Sequence, residues 1–305
     1  MTIREALAEG SAALKDSGIE SFSLDASLLL AEITGLSRAG LIASGSDPLA
    51  KESVEQFREL IEQRRSGLCV AYLLGRKEFF ALDFAVNPSV LVPRPDTETL
   101  VEAALNQLEK RKEKKNTAPL RVLDLCTGSG AVAIALKHEM PELEVWASDI
   151  SDAALECAKS NAARLLPLHD APIRFLQGNL FEALLPHSQH SSFELIVGNP
   201  PYIPSDEIAS LAPEVQHEPR LALDGVSDGL DLIRAIVAAA PDYLCPDGTL
   251  LLEAESRQMD AISPLMRDAG FSDVQIFSDL SGQQRVIGAY LRPAECGTVY
   301  GVLAL

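Results

Sequence analysis

A chain of 305 residues, 47% of them apolar, exceeds the usual size of one domain, which predicts two domains with a large core and argues against disorder over most of its length. Its 26 Lys and Arg against 44 Asp and Glu leave a formal charge of −18, a poor match for a polyphosphate partner. The cysteines (Cys69, Cys126, Cys157, Cys245 and Cys296) lack zinc or redox spacing and no run could span a membrane, so a cytoplasmic protein with reduced thiols and no metal is expected.

Residues 1–75 read as a small helical domain without chemistry of its own, a candidate docking element. Ile3, Ala6, Leu7, Ala13 and Leu14 approximate one helical face. Ser23 is the expected cap of a second helix that Gly35 ends, and Asp47-Pro48 the expected start of a third, with Val54, Phe57, Leu60 and Ile61 as its stripe. Residues 76–95 predict a β-hairpin linker: Phe79 to Val86, a turn at Asn87-Pro88, then Val90-Leu91-Val92. A helix from about Asp96-Thr97 ends in the basic run Lys110–Lys115, read as a solvated helix end.

Residues 96–293 alternate strand and helix at βαβ spacing. Strands are expected at Arg121–Leu125, Glu144–Ser148, Ile173–Gln177, Phe193–Val197 and Thr249–Glu253, with Val274–Phe277 and Arg285–Tyr290 as a closing antiparallel pair. Helices are expected at Ala131–His138, Ala153–Leu165, Gly229–Ala239 and Arg257–Asp268, and residues 294–305 form a tail.

Strand ends carry the chemistry, because in open α/β sheets the ligand crevice lies beyond the carboxyl ends of parallel strands. The first strand runs into Asp124-Leu125-Cys126-Thr127-Gly128-Ser129-Gly130, a glycine turn opening a helix whose free N–H groups suit a carboxylate or phosphate. Nineteen residues past Gly130 stands Asp149, placed to accept hydrogen bonds from two ribose hydroxyls. Gly178-Asn179-Leu180-Phe181 follows the third strand and could bracket an adenine. A glycine turn and a carboxylate alone also describe a dinucleotide site or a plain strand-to-helix turn. The fourth loop, Asn199-Pro200-Pro201-Tyr202, tips the balance. Its Asn offers a planar acceptor and donors, its prolines fix φ without N–H groups, and its Tyr adds a flat face. Such a group can grip a planar nitrogen by its N–H bonds and one face. In isolation the same four residues read better as a rigid proline turn, and only the company of the other three loops reverses that reading.

With these loops the chain resembles the S-adenosylmethionine-dependent protein glutamine N5-methyltransferases called PrmC or HemK. The resemblance runs from the helical module to about Tyr290. It includes Tyr72-Leu73-Leu74-Gly75, Leu91-Val92-Pro93-Arg94-Pro95-Asp96-Thr97-Glu98, Glu218-Pro219-Arg220-Leu221-Ala222-Leu223 and Gly282-Gln283-Gln284-Arg285-Val286. It implies a seven-stranded, Rossmann-like class I methyltransferase sheet with an N-terminal helical bundle joined by a hairpin. The implied substrate is the glutamine of the Gly-Gly-Gln motif in peptide chain release factors. Asp124 and Cys126 through Gly130 would then line the methionine moiety, Asp149 the ribose, and Asn179 and Leu180 the adenine. Asn199 would border the cofactor, and Asn199, Pro200, Pro201 and Tyr202 would hold the glutamine. Cys126 stands where many methyltransferases have glycine, a change expected to be tolerated because Gly128 and Gly130 make the sharp turns.

Three rival functions differ in partner. A nucleobase N-methyltransferase would need a basic groove with stacking aromatics, whereas Glu194 to Asp231 holds eight carboxylates and one cation, Arg220. A ribosomal-protein glutamine would change only the docking surface. A non-catalytic adenosine-binding module would not need the amide acceptors. The sequence reading is a monomeric enzyme acting on release factors, without direct nucleic-acid or membrane contact.

Overall fold

The computed structural model describes residues 1–114, 119–167, 172–187 and 193–292. Lys115, Cys296 and the expected tail 294–305 lie outside them. Helices α1 (Ile3–Asp16), α2 (Phe22–Thr34), α3 (Arg38–Ala43), α4 (Lys51–Arg65) and α5 (Val70–Leu74) pack around Leu14, Leu29, Leu30, Leu41, Phe57 and Ile61. Two expected starts move. The second helix is capped at Ser21, placing Ser23 inside it. Asp47-Pro48 instead pairs with the beginning of the chain: Ile3 N–H donates to the Asp47 carbonyl at 3.0 Å, Thr2 bridges Pro48, and α4 starts at Lys51. The short α3 and α5 carry too few periodic positions to be read from sequence.

The hairpin β1 (Arg76–Phe79) and β2 (Leu82–Ala85) turns at Phe80-Ala81, not at Asn87-Pro88. Both turn residues take left-handed φ, 50° and 58°, as a tight hairpin demands, without the Asn or Gly that usually announces it. Asn161, wholly buried on α8 (Asp152–Leu165), clips this hairpin to the main body. Its Oδ1 accepts from Ala85 N–H at 2.8 Å, and its Nδ2 donates to the carbonyls of Ala85 and Ser129 at 3.0 Å each.

The main body is a three-layer α/β sandwich. α6 (Glu98–Lys114) and the pair β3 (Arg121–Leu125) and α7 (Ala131–Glu139) are followed by β4 (Glu144–Asp149), α8, β5 (Arg174–Gln177) and β6 (Phe193–Gly198). Then come α9 (Pro213–Gln216), α10 (Asp231–Ala239), β7 (Leu244–Glu253), α11 (Met259–Asp268), β8 (Phe271–Ser278) and β9 (Gln284–Leu291). The seven-stranded order is β5-β4-β3-β6-β7-β9-β8, parallel through β7, with β9 antiparallel to both neighbours as expected. All six residues of β6 are buried, which accounts for its near-continuous apolar reading. α6, α7 and α8 cover one face; α10 and α11 cover the other through Ile233, Ile236, Met259, Ile262 and Met266. β7 begins five residues before the expected Thr249, because an irregularity separates the Phe193–Leu244 and Leu195–Thr249 pairs. Arg111, from the supposedly solvated run, folds onto that irregularity and donates to the carbonyls of Pro246 and Asp247. Among the described residues no helix is long and apolar enough to cross a membrane.

The helical bundle holds one buried ion pair, Arg64 to Asp25 at 2.8 Å, with side chains 5% and 7% exposed. Removing one partner of such a pair leaves a bare charge in a dry place. Arg64→Leu is expected to lower the unfolding free energy by roughly 3–5 kcal/mol, and Arg64→Leu with Asp25→Leu to recover most of that loss. Urea denaturation measures both; a single variant as stable as the parent would contradict the assignment.

Candidate active site

The sheet register places the chemistry. Leu125 lies opposite Ser148 on one side and Gly198 on the other, while Gly198 lies opposite Leu252 and Asp149 opposite Gln177. The next row at the carboxyl edge is therefore Asp149, Cys126, Asn199 and Glu253 on four neighbouring strands. A cavity of about 470 Å³, within the range of small-molecule sites, opens above the first three. It is bordered by Asp124, Cys126, Thr127, Gly128, Ser129, Asp149, Asn179, Leu180, Asn199 and Pro201. A smaller cavity of about 220 Å³ adjoins it, bordered by Asn199, Pro200, Pro201, Tyr202 and Glu253. Asn199 and Pro201 border both.

Asp149 organises the larger cavity. Its Oδ2 accepts from Gly128 N–H and its Oδ1 from Ser151 N–H, each at 2.9 Å, so the carboxylate holds the glycine loop and retains a lone pair on each oxygen. Burial raises its pKa, while those N–H groups oppose the shift. Asp124 is buried, with Oδ2 accepting from Thr127 Oγ1 at 2.6 Å and Ala133 N–H at 3.2 Å. Burial lifts its pKa to about 7. Its bonded oxygen shapes the loop that borders the cavity.

Two expectations about this loop change. Cys126 itself takes a left-handed φ of 57°, so the sharp bend begins before the glycines and is forced on a residue with a Cβ. Gly130 borders neither cavity. A Cβ there would lie 2.9 Å from Ile134 Cδ1 and 3.1 Å from the Ala158 Cβ, so its role is close packing of α7 against α8.

The Asn-Pro-Pro-Tyr loop is tied down by residues the sequence reading left without a role. Asn199 Nδ2 donates to Thr97 Oγ1 at 3.3 Å. Tyr202 Oη donates to Glu253 Oε1 at 3.4 Å, and the Thr97 hydroxyl lies beside the same carboxyl. With one N–H engaged on Thr97, the Asn199 amide keeps its carbonyl oxygen and its second N–H for a ligand. Burial, reinforced by Glu253, drives the Tyr202 phenol far above its ordinary pKa, keeping it protonated. Gln258 Nε2 donates to the Tyr202 carbonyl at 2.9 Å, and Ile203 N–H to the Leu223 carbonyl at 3.1 Å. Across the cleft, buried Glu218 accepts from Val92 N–H at 3.1 Å and from Arg94, joining two segments far apart in sequence. Arg285 bridges Asp96 and Asp279, at 2.9 Å to each. Thr97, Arg94, Glu218 and Arg285 all lie in the segments that carried the resemblance, the signal through which a positional reading could have found them.

Residues 5–75 match the family model for the PrmC N-terminal domain, and residues 99–216 that of the methyltransferase small domain. The chain is 40% identical over 288 residues to the release factor glutamine methyltransferase of Geobacter sulfurreducens, spanning 94% of this chain and 96% of that relative. It is 39% identical over 293 residues to the enzyme of the same name from Moorella thermoacetica, spanning 96% and 99%. The METTL16 methyltransferase domain shares the fold, with a TM-score of 0.51 at 14% identity over 82% of this chain and 85% of that one. At near full length and about two-fifths identity, the chain belongs to the release factor glutamine methyltransferase family.

Proposed function

We propose that this chain methylates the side-chain amide nitrogen (N5) of the glutamine in the Gly-Gly-Gln motif of peptide chain release factors, using S-adenosylmethionine, and thereby supports translation termination. The observation that carries the residue assignment is the Asn199 tether at the meeting of the two cavities. The donor, when bound, supplies a methyl carbon made electrophilic by a positively charged sulfur. What remains for the protein is to position the nucleophile and favour the charge that develops on it.

The larger cavity suits the donor: Asp149 offers two oxygens with lone pairs for ribose hydroxyls, Cys126 through Ser129 present a loop for the methionine part, and Asn179 with Leu180 flanks the adenine. In the smaller cavity Asn199 Oδ1 and the Pro200 carbonyl accept the two N–H bonds of the substrate amide. An amide nitrogen is a poor nucleophile because its lone pair is delocalised, and two acceptors on its hydrogens enrich it and fix its direction. Pro201 shapes the wall between the cavities, and Tyr202 packs on the amide plane. A protein target suits the −18 charge and the acidic stretch after the motif better than nucleic acid does. We further propose that residues 1–75 dock the release factor and that the enzyme works in the cytoplasm as a monomer.

Two variants separate the cavities. Asn199→Ala is expected to leave S-adenosylmethionine binding largely intact by calorimetry while methyl transfer to a release factor falls roughly 10²-fold or more, the scale for losing one preorganised polar contact. Turnover near that of the parent would remove Asn199 from the mechanism. Asp149→Ala is expected to weaken cofactor binding roughly 10- to 100-fold, as lost hydrogen bonds to a charged group imply; unchanged affinity would contradict its ribose role.

A further inference from the structure

Glu253, at the end of β7, is a carboxyl that the amide clamp does not account for. It is 1% exposed and borders the cavity of Asn199, Pro200 and Tyr202. Its Oε1 accepts from Tyr202, but its Oε2 is buried without a hydrogen-bond partner. A carboxylate oxygen left bare in a dry site is costly and uncommon, and calls for a ligand or a proton. The nearby cations are committed elsewhere: Arg285 on β9 to Asp279 and Asp96, and Arg94 on the strap before α6 to Glu218. Asp96 adds like charge, and the hydroxyls of Thr97 and Tyr202 complete the polar surroundings.

The reaction proposed above generates what this group lacks. A primary amide nitrogen that gains a methyl group carries positive charge and two hydrogens, and a neutral N-methylamide results only when one proton leaves. Resting on that reading, we propose that Glu253 is the proton acceptor of the amide slot. Ionised, it stabilises the charge developing on the substrate nitrogen. Methylation makes the nitrogen tetrahedral and turns one of its hydrogens out of the plane of the clamp; that N–H bond breaks, its electron pair stays on nitrogen, and the proton forms an O–H bond on the Glu253 carboxylate. Nothing is oxidised or reduced, and the neutral carboxyl later returns its proton to water. Burial lifts this carboxyl to about 7, with Asp96 adding to the rise and Thr97, Tyr202 and Arg285 opposing it. A group titrating there can both take and release a proton near neutrality.

The test is single-turnover methyl transfer by the full-length enzyme to a purified release factor, across about pH 5.5 to 8.5, a window spanning that titration. The parent rate is expected to rise with pH and level off above about 7. Glu253→Gln, isosteric but unable to accept the proton, is expected to lose roughly 10²-fold at the plateau and to show a flat profile. Its cofactor affinity by calorimetry should match that of the parent. Infrared difference titration should show one buried carboxyl fewer in the variant. A flat profile in the parent, which needs no variant to fold, or full activity in Glu253→Gln would overturn the proposal. Either result would leave the amide clamp standing, since that fails only if Asn199→Ala stays active.

Discussion

Strand register is the constraint on which the site depends. Four adjacent parallel strands end level with one another, and a single row across them supplies Asp149, Cys126, Asn199 and Glu253. The order β5-β4-β3-β6-β7 reverses direction at β3, so the loops after β3 and β6 part and leave a crevice between them. Because a one-residue slip turns every side chain of a strand to the opposite face, the row cannot drift without repacking both helical layers against the wholly buried β6. The hydrophobic core thus sets the spacing of the polar residues, and through Ala131 and Val132 it also forms part of the wall of the larger cavity.

The polar network reverses the usual balance between charge and burial. Asp124, Asp149, Glu218 and Glu253 all have pKa values raised by burial, and all stand around the cleft. For a carboxyl shifted upward, the folded chain holds its proton when the unfolded chain has lost it. Its contribution is therefore most favourable below the unfolded value of about 4 and is lost as pH rises toward the folded one. Elsewhere, the hydrogen-bonded Arg234 lowers Asp228 to about 2, the opposite sign, on a side chain about half exposed. The protein therefore concentrates its electrostatic strain where ligands are expected to bind and keeps its surface carboxylates comfortable.

Much of this arrangement was legible in the chain itself. Long apolar runs such as Phe193–Val197 and the regular βαβ spacing fixed the sheet, because buried parallel strands leave no alternative pattern. The Asn-Pro-Pro-Tyr loop was legible because it follows a buried strand beside three other loops whose residues agree with the same chemistry. The hairpin turn was not, since Phe80 and Ala81 adopt a backbone that their side chains disfavour. Nor was the start of α4, where Asp47-Pro48 has the local chemistry of a cap but pairs with the chain's first residues. Glu253 and Thr97 escaped for a different reason: each acts through partners more than 45 residues away, a relation that periodicity does not encode. Cys126 shows that a glycine-favouring conformation can be imposed by its neighbours when both ends of a bend are anchored.

Asn161 also has a mechanical role. One carboxamide, itself wholly buried, spans three chain segments, gripping the amide and carbonyl of Ala85 and the carbonyl of Ser129. The helical bundle is therefore no tethered handle: force applied to it reaches the hairpin and, through a single rigid side chain, the loop beside the glycines. Shortening that lever would orphan backbone groups at both ends, so a chain of this design has little freedom to vary its hinge independently of its pocket.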